Sequence, residues 1–312
     1  MPFARAALLL LIALTTAVSA LADDAEARQW LARLGDSGEG IAYRGVLIYQ
    51  SGDHSEALRV THGALDGRPY DYLEHLDGNR REVIRSGSSV TRVLPGQRLT
   101  RLLHNQQRSG GDAIESHYAL QLQGEGRVAG RPVMLLEAMP RDGFRFGYRI
   151  AFDRAAGLPL RYEQFDADGH VLERFQFAEI DFSDKLLPQW QPAPVEANAA
   201  AVASTSADDV PAPAGWQPRW LPPGFVAVVA TDGDSDDSQT YSDGLAMLSI
   251  FVAESDQMLD SGGGHARHGA TVAHTAPLRL GERHFVVTVI GEVPEITAQR
   301  VADSVAWPQP AQ

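Results

Sequence analysis

The sequence predicts an α+β protein: a large, mostly antiparallel sheet with few helices, followed by a smaller α+β unit. Three observations predict it. Apolar and polar residues alternate with a period of two from about residue 42 to 182, the pattern of strands with one greasy side. Turn-forming clusters punctuate that stretch at intervals near ten residues, as hairpins require. A Pro-, Ala- and Ser-rich break at 184–215 then precedes a second patterned region, 216–308.

In chain order, Arg5 leads an unbroken apolar run, Ala6 to Leu14, and small residues close the segment with Ala20-Leu21-Ala22 before Asp23. That is the pattern of a secretory signal peptide, assigned to 1–22. The run is shorter than the roughly 20 residues of a membrane span. No Cys follows it, which excludes a lipoprotein anchor. The expectation is an exported, soluble protein whose partners lie outside the cytoplasm, and this argues against ATP-dependent chemistry.

The large unit is assigned to 23–183. Ala27, Trp30, Leu31 and Leu34 share one face of a helix over 24–34, with Gly35 as its stop. Tyr118, Leu120 and Leu122 alternate with polar or small residues. Phe146, Tyr148, Ile150 and Phe152 do the same, with Arg145, Gly147, Arg149, Ala151 and Asp153 opposite. Turns are expected at Ser51-Gly52-Asp53, Asp77-Gly78-Asn79, Ser86-Gly87, Pro95-Gly96, Arg141-Asp142-Gly143 and Asp168-Gly169-His170. One short helix fits within 104–121. After the linker, 184–215, the small unit should hold strands at 225–230, 245–253 and 284–291. A closing helix over 297–306 would bury Ala298, Val301, Ala302 and Val305.

The chain has 312 residues, no Cys and a formal net charge of −13, so no disulfide supports it. Losing Arg5 with the signal would make it −14 (−13 minus 1). An acidic chain lacks the basic footprint that phosphate binding needs, so nucleic acid is not an expected partner. Lys185 is the single Lys; the other basic residues are Arg, whose planar fork suits carboxylates if several cluster.

The glycine run Gly124 to Gly130 has the spacing G-x-G-x-x-x-G and leads into Arg131-Pro132 and a strand, so it reads as a turn rather than a phosphate loop. His265, His268 and His274 follow three glycines with no Cys or acidic ligand at useful spacing, and the segment reads as a solvated loop. Asp232, Asp234, Asp236 and Asp243 outline a calcium loop, but Asp237 stands where glycine is required and the closing Glu is missing. There is no G-x-S-x-G elbow. No catalytic residue, metal or cofactor is therefore expected, although a triad assembled from distant Ser, His and Asp leaves a hydrolase as a third reading.

Two aromatic sets remain. Phe144, Phe146, Tyr148, Phe152, Phe165, Phe175 and Phe177 crowd the later strands of the large sheet, either as core or as a cavity for acyl chains or an amphipathic peptide. Trp216, Arg219, Trp220, Phe225, Tyr241 and Phe251 are either small-unit core or anchors for a protein partner.

The chain resembles the RseB/MucB family of periplasmic regulators. The resemblance rests on Tyr43-Arg44-Gly45, Leu76-Asp77-Gly78, Arg81 to Arg85, Gly124 to Pro132, Pro140-Arg141-Asp142, Gly157 to Leu160 and Leu172 to Phe177. It continues through Trp220 to Phe225, Tyr241 to Ala246 and Val287 to Pro294, in order across both units. It implies that the chain binds the periplasmic part of an RseA/MucA-type membrane anti-sigma factor and shields it from site-one proteolysis. It implies a large domain like LolA lipoprotein carriers, an open half-barrel, with lipid A or a lipoprotein acyl fragment as the releasing signal. It also implies that the small domain is a main contact for the anti-sigma factor. The linker and the segment 254–274 depart from the family pattern. A lipid or lipoprotein carrier is the competing reading, and homo-oligomerisation is compatible with both.

Overall fold

The computed structural model describes residues 25–33, 41–65, 68–78, 82–86, 114–182, 215–228, 238–255 and 263–307. The segment 1–22 read as a signal peptide, Leu34 and Gly35, the turns expected at Gly87 and Pro95-Gly96, the expected linker but for its last residue, and Asp232, Asp234, Asp236 and Asp237 lie outside them.

Strands β1 (Tyr43–Ser51), β2 (His54–Leu65), β3 (Arg68–His75), β4 (Glu82–Ser86), β5 (Tyr118–Val128), β6 (Arg131–Pro140), β7 (Gly147–Asp153), β8 (Pro159–Phe165) and β9 (Val171–Phe182) form one open antiparallel sheet. Its order is β4-β3-β2-β1-β9-β8-β7-β6-β5. Every neighbour is a hairpin partner except β1 and β9, whose pairing, Tyr43 opposite Phe182 to Ser51 opposite Glu173, joins two meanders. Helix α1 (25–33) buries Ala27, Trp30 and Leu31, with the Trp30 ring 5.9 Å from Phe152. The short helix expected within 104–121 is the single turn α2 (Ile114–His117).

Register decides which side chains meet. Tyr49, Phe175, Tyr162, Ile150 and Leu136 lie opposite one another from β1 across β9, β8 and β7 to β6, and all are buried. Tyr49 stacks on Phe175 at 4.7 Å, and Tyr43 meets Phe177 edge-on at 6.0 Å. The neighbouring row faces the other way and is polar. Glu137, Arg149, Glu163, Arg174 and Gln50 are likewise mutually opposite. Arg149 donates to Glu137 at 2.7 Å and Arg174 to Glu163 at 2.8 Å, cross-strand pairs that pin the register.

The opposite face of β7 is less open than simple alternation implies, because Asp153 is fully buried. Its carboxylate accepts the Arg131 fork and the backbone N–H groups of Ala155 and Ala156, capping the β7–β8 turn. Burial alone would raise its pKa, but those hydrogen bonds and the Arg131 charge hold it below the ordinary carboxylate value. A depressed folded pKa gives stability that is present above the unfolded value, near 3.9, and lost as pH falls through the folded one. Asp153→Asn is therefore expected to cost about 1–3 kcal/mol at neutral pH and much less near pH 3. Urea midpoints of both proteins at the two pH values check this.

The glycine run takes the turn expected of it. The β5–β6 hairpin reverses at Ala129 and Gly130, both at positive φ (47° and 74°), as a two-residue hairpin turn requires.

In the second unit, β11 (Val226–Val228), β12 (Ser238–Ser242), β13 (Met247–Ser255), β14 (Gly264–His268), β15 (Thr271–Leu280) and β16 (Arg283–Gly291) form a sheet of order β11-β12-β13-β16-β15-β14. Helix α3 (Glu295–Ser304) packs on one face through Ala298, Val301 and Ala302. The helix begins two residues earlier than expected, and Val305 is buried in a different element: β10 (Gln217–Pro218) pairs with β17 (Val305–Ala306). The expected loop around His265, His268 and His274 is instead the hairpin β14–β15, closing at Gly269-Ala270. Alternation does not reveal β14 because it is an edge strand whose residues are all exposed.

Candidate functional site

Arg145 precedes β7 on the loop that starts at Arg141, and its side chain is wholly buried at the junction of the two units. The guanidinium Nη1 donates to Asp243 Oδ2 at 2.7 Å, Nη2 to the Pro223 carbonyl at 2.7 Å and Nε to Asp142 at 3.1 Å. The rings of Tyr118 and Phe225 lie 5.5 Å from it. Asp243 sits in the turn before β13 because its Oδ1 accepts the N–H groups of Leu245 and Ala246, an Asx turn. The Tyr118 hydroxyl donates to Oδ2 at 3.1 Å. Leu245, in the same turn, packs into the core of the nine-stranded unit.

Burial pushes the Asp243 carboxyl above its ordinary value, against the pull of the Ala246 N–H and the Arg145 charge. Burial opposes the Arg145 charge too, but Asp243, Tyr118 and Asp142 outweigh it and the guanidinium stays charged. The Tyr118 and Tyr148 hydroxyls are driven well up, chiefly by burial, and remain donors.

Two further contacts close the junction. Thr297 on α3 donates to the Phe144 carbonyl at 2.9 Å, while the Phe144 ring meets Trp220 at 5.1 Å and Arg300 covers Trp220 at 4.0 Å. At the other end, the Ala270 N–H donates to the buried Glu173 at 3.0 Å. Gly269 has φ +58°, and a Cβ there would overlap Ser51 Oγ and Glu173, so the hairpin tip needs glycine twice over. Gly269→Val is expected to undock this tip, read as faster amide exchange at Ala270 with the sheets intact.

The expected residues fall into different places. Trp216, Phe225 and Tyr241 are in the core of the six-stranded unit, Trp220 is half-buried at the junction, and Arg219 and Phe251 are exposed. Tyr148, Phe152, Phe175 and Phe177 belong to one core, but Phe165 does not lie beside them. It pairs with Gly147 and packs under Arg149 at 4.1 Å, because alternation turns it to the face opposite Tyr162. Phe144 belongs to the junction, and Phe146 is buried just before β7. Between Leu47, Leu160, Tyr162, Phe175 and Phe177 the free space is only about 10 Å³, no more than one water. A wider groove of about 230 Å³ is lined by Gln123, Glu137, Arg149 and Arg161 together with Leu135, Leu136 and Ile150, so its walls are mixed.

The face of the six-stranded sheet opposite α3 has a composition of its own. Register places Thr240, Ser249, Ile290 and Ala273 in one row and Ser238, Phe251, Thr288 and Thr275 in the next. None of these eight is charged, and all are exposed or partly exposed, Phe251 at 41% and Ile290 at 39%. An uncharged, half-apolar face several strands wide is unusual on so acidic a chain and suits a protein partner.

Comparisons with known proteins bear on this geometry. A family model described as the MucB/RseB N-terminal domain matches residues 26–196, and one described as the MucB/RseB C-terminal domain matches 210–306. The Pseudomonas aeruginosa protein called sigma factor AlgU regulatory protein MucB is 32% identical over 309 residues, covering 96% of each chain. The Escherichia coli K12 sigma-E factor regulatory protein RseB is 28% identical over 276 residues, 81% of each. Among solved structures, MucB in complex with MucA(peri) superimposes with a TM-score of 0.69 at 31% identity, covering 91% of this chain and 100% of that one. MucB alone gives a TM-score of 0.65 at 30% identity, covering 91% and 98%.

Proposed function

The chain belongs to the MucB/RseB family, a family of regulatory binding proteins rather than enzymes, and from that premise we propose that it is a negative regulator of envelope-stress sigma-factor signalling. It acts in the periplasm after removal of 1–22, as a large domain (23–183), a linker (184–215) and a small domain (216–308). It binds the periplasmic part of an RseA/MucA-type anti-sigma factor and shields it from site-one proteolysis. The observation that carries this reading is similarity over 91% of the chain to a protein solved with MucA(peri).

The surface best suited to the partner is the uncharged sheet face bearing Phe251 and Ile290. Large exposed apolar side chains on such a face are the anchors a binding partner desolvates. Release follows from linkage: an amphiphile that prefers the partner-free state weakens partner binding by the same coupling free energy. An acyl chain gains about 0.8 kcal/mol per buried CH₂, ample for a switch of a few kcal/mol. Because the crevice at Phe175 and Phe177 is closed, entry requires those rings to move.

The test is protease protection. The anti-sigma periplasmic domain is incubated with its site-one protease, with and without the mature chain, and lipid A or an acylated lipoprotein fragment is then added. Protection is expected, and Phe251→Asp with Ile290→Asp should weaken it about tenfold or more. Protection that no amphiphile relieves would remove the lipid signal and keep the regulator. No protection would overturn the reading in favour of a lipid or lipoprotein carrier.

A further inference from the structure

The hairpin β14–β15 brings two imidazoles together that the sequence separates. His265 and His274 are directly opposite in the register. Both project toward the α3 side, because His274 lies two residues from each of the buried Val272 and Ala276 and so shares their face of the strand. The first residue of α3, Glu295, comes down over the same spot, its carboxylate 4.0 Å from His265 Nδ1. His274 Nδ1 is buried and has no hydrogen-bond partner, an unsatisfied nitrogen that needs an explanation.

We propose that His265, His274 and Glu295 form a binding site for a zinc-class divalent cation at the edge of the six-stranded sheet. Two neutral imidazoles and a carboxylate are a common three-ligand set for zinc, with water in the fourth position. Tetrahedral ligands at about 2.1 Å from the metal stand about 3.4 Å apart, so the His265–Glu295 pair is nearly at ligand spacing. The three ligand atoms are not yet all within 4.8 Å of one another, and His274 closes the set by rotating its ring toward its cross-strand neighbour. That rotation gives its unpartnered nitrogen an occupant. Asp166, Asp168 and His170 also cluster, but Asp166 already accepts the N–H groups of Asp168 and His170, a turn that its own hydrogen bonds explain.

The location gives the ion a structural consequence. The ligands sit at the root of the hairpin whose tip docks on Glu173, so a bound ion ties that edge hairpin to α3.

The experiment is titration of the full mature chain with zinc against a chromophoric chelator, repeated with cobalt to read the visible bands of a tetrahedral site. One site is expected. His265→Ala and His274→Ala should each weaken it by more than the roughly 10–100-fold lost with a mere supporting residue. Glu295→Gln should weaken it less, and His268→Ala, on the opposite face of β14, should leave it unchanged. Far-ultraviolet circular dichroism controls for folding; His265 is exposed, so its removal leaves the core untouched. No zinc binding, or binding that survives both His variants and vanishes with His170→Ala, would overturn the proposal.

Discussion

Asp243→Ala is expected to destabilise the protein by about 3–5 kcal/mol, because it strands the Arg145 charge in a buried site. The Tyr118 hydroxyl and the Leu245 and Ala246 N–H groups lose their acceptor in the same step. Guanidinium unfolding should show the loss, and the variant should separate into two transitions where the native chain has one, since the pair joins the two sheets. The double replacement Arg145→Met with Asp243→Leu should recover part of the deficit, because it leaves no buried charge unpaired, while the Tyr118 hydroxyl, the Leu245 and Ala246 N–H groups and the Pro223 carbonyl still lack their partners. If Asp243→Ala unfolded at the native midpoint, the pair would not be holding the units together.

Phe177→Ala is the second large effect. Its ring has no exposed surface and lies edge-on to Tyr43, and it can do so because Gly45 has no side chain: a Cβ there would come within 2.8 Å of the ring. Truncating a buried Phe costs about 3–5 kcal/mol. The same change hollows out the crevice lined by Leu47, Leu160, Tyr162 and Phe175. If amphiphiles enter by displacing these rings, the variant should bind an acylated ligand more tightly than the native chain while melting earlier. Equal binding by both proteins would mean that the ligand enters elsewhere.

The sheets were legible from the sequence where one face is dry and the other wet. β1 is the clear case: Tyr43, Leu47 and Tyr49 are buried while Arg44 and Gln50 are exposed, whereas β7 is buried on both faces but for Arg149. Edge strands were not legible. β14 has no buried residue, so the alternation that marks a half-buried strand never arises, and His265 and His274 looked like loop histidines. Asp243 was visible as the end of a broken calcium loop and as one residue of the family-like stretch Tyr241 to Ala246, and its partner Arg145 as one polar position beside a strand. Their meeting spans 98 residues of sequence, and no local period encodes it. The aromatics show the same limit: a strand pattern says that Phe165 and Phe175 are buried, whereas only register shows that Phe165 lies on the other face.

The Arg145–Asp243 contact also joins two parts of one chain connected through 184–215. Each half therefore meets the other at an effective concentration of order millimolar, whatever the concentration of the protein. A binding partner that pries the junction apart must outcompete that tethered contact. A partner that bridges both halves while leaving the junction shut gains a second point of attachment at no further translational cost. Avidity thus favours partners that span the junction over those that open it.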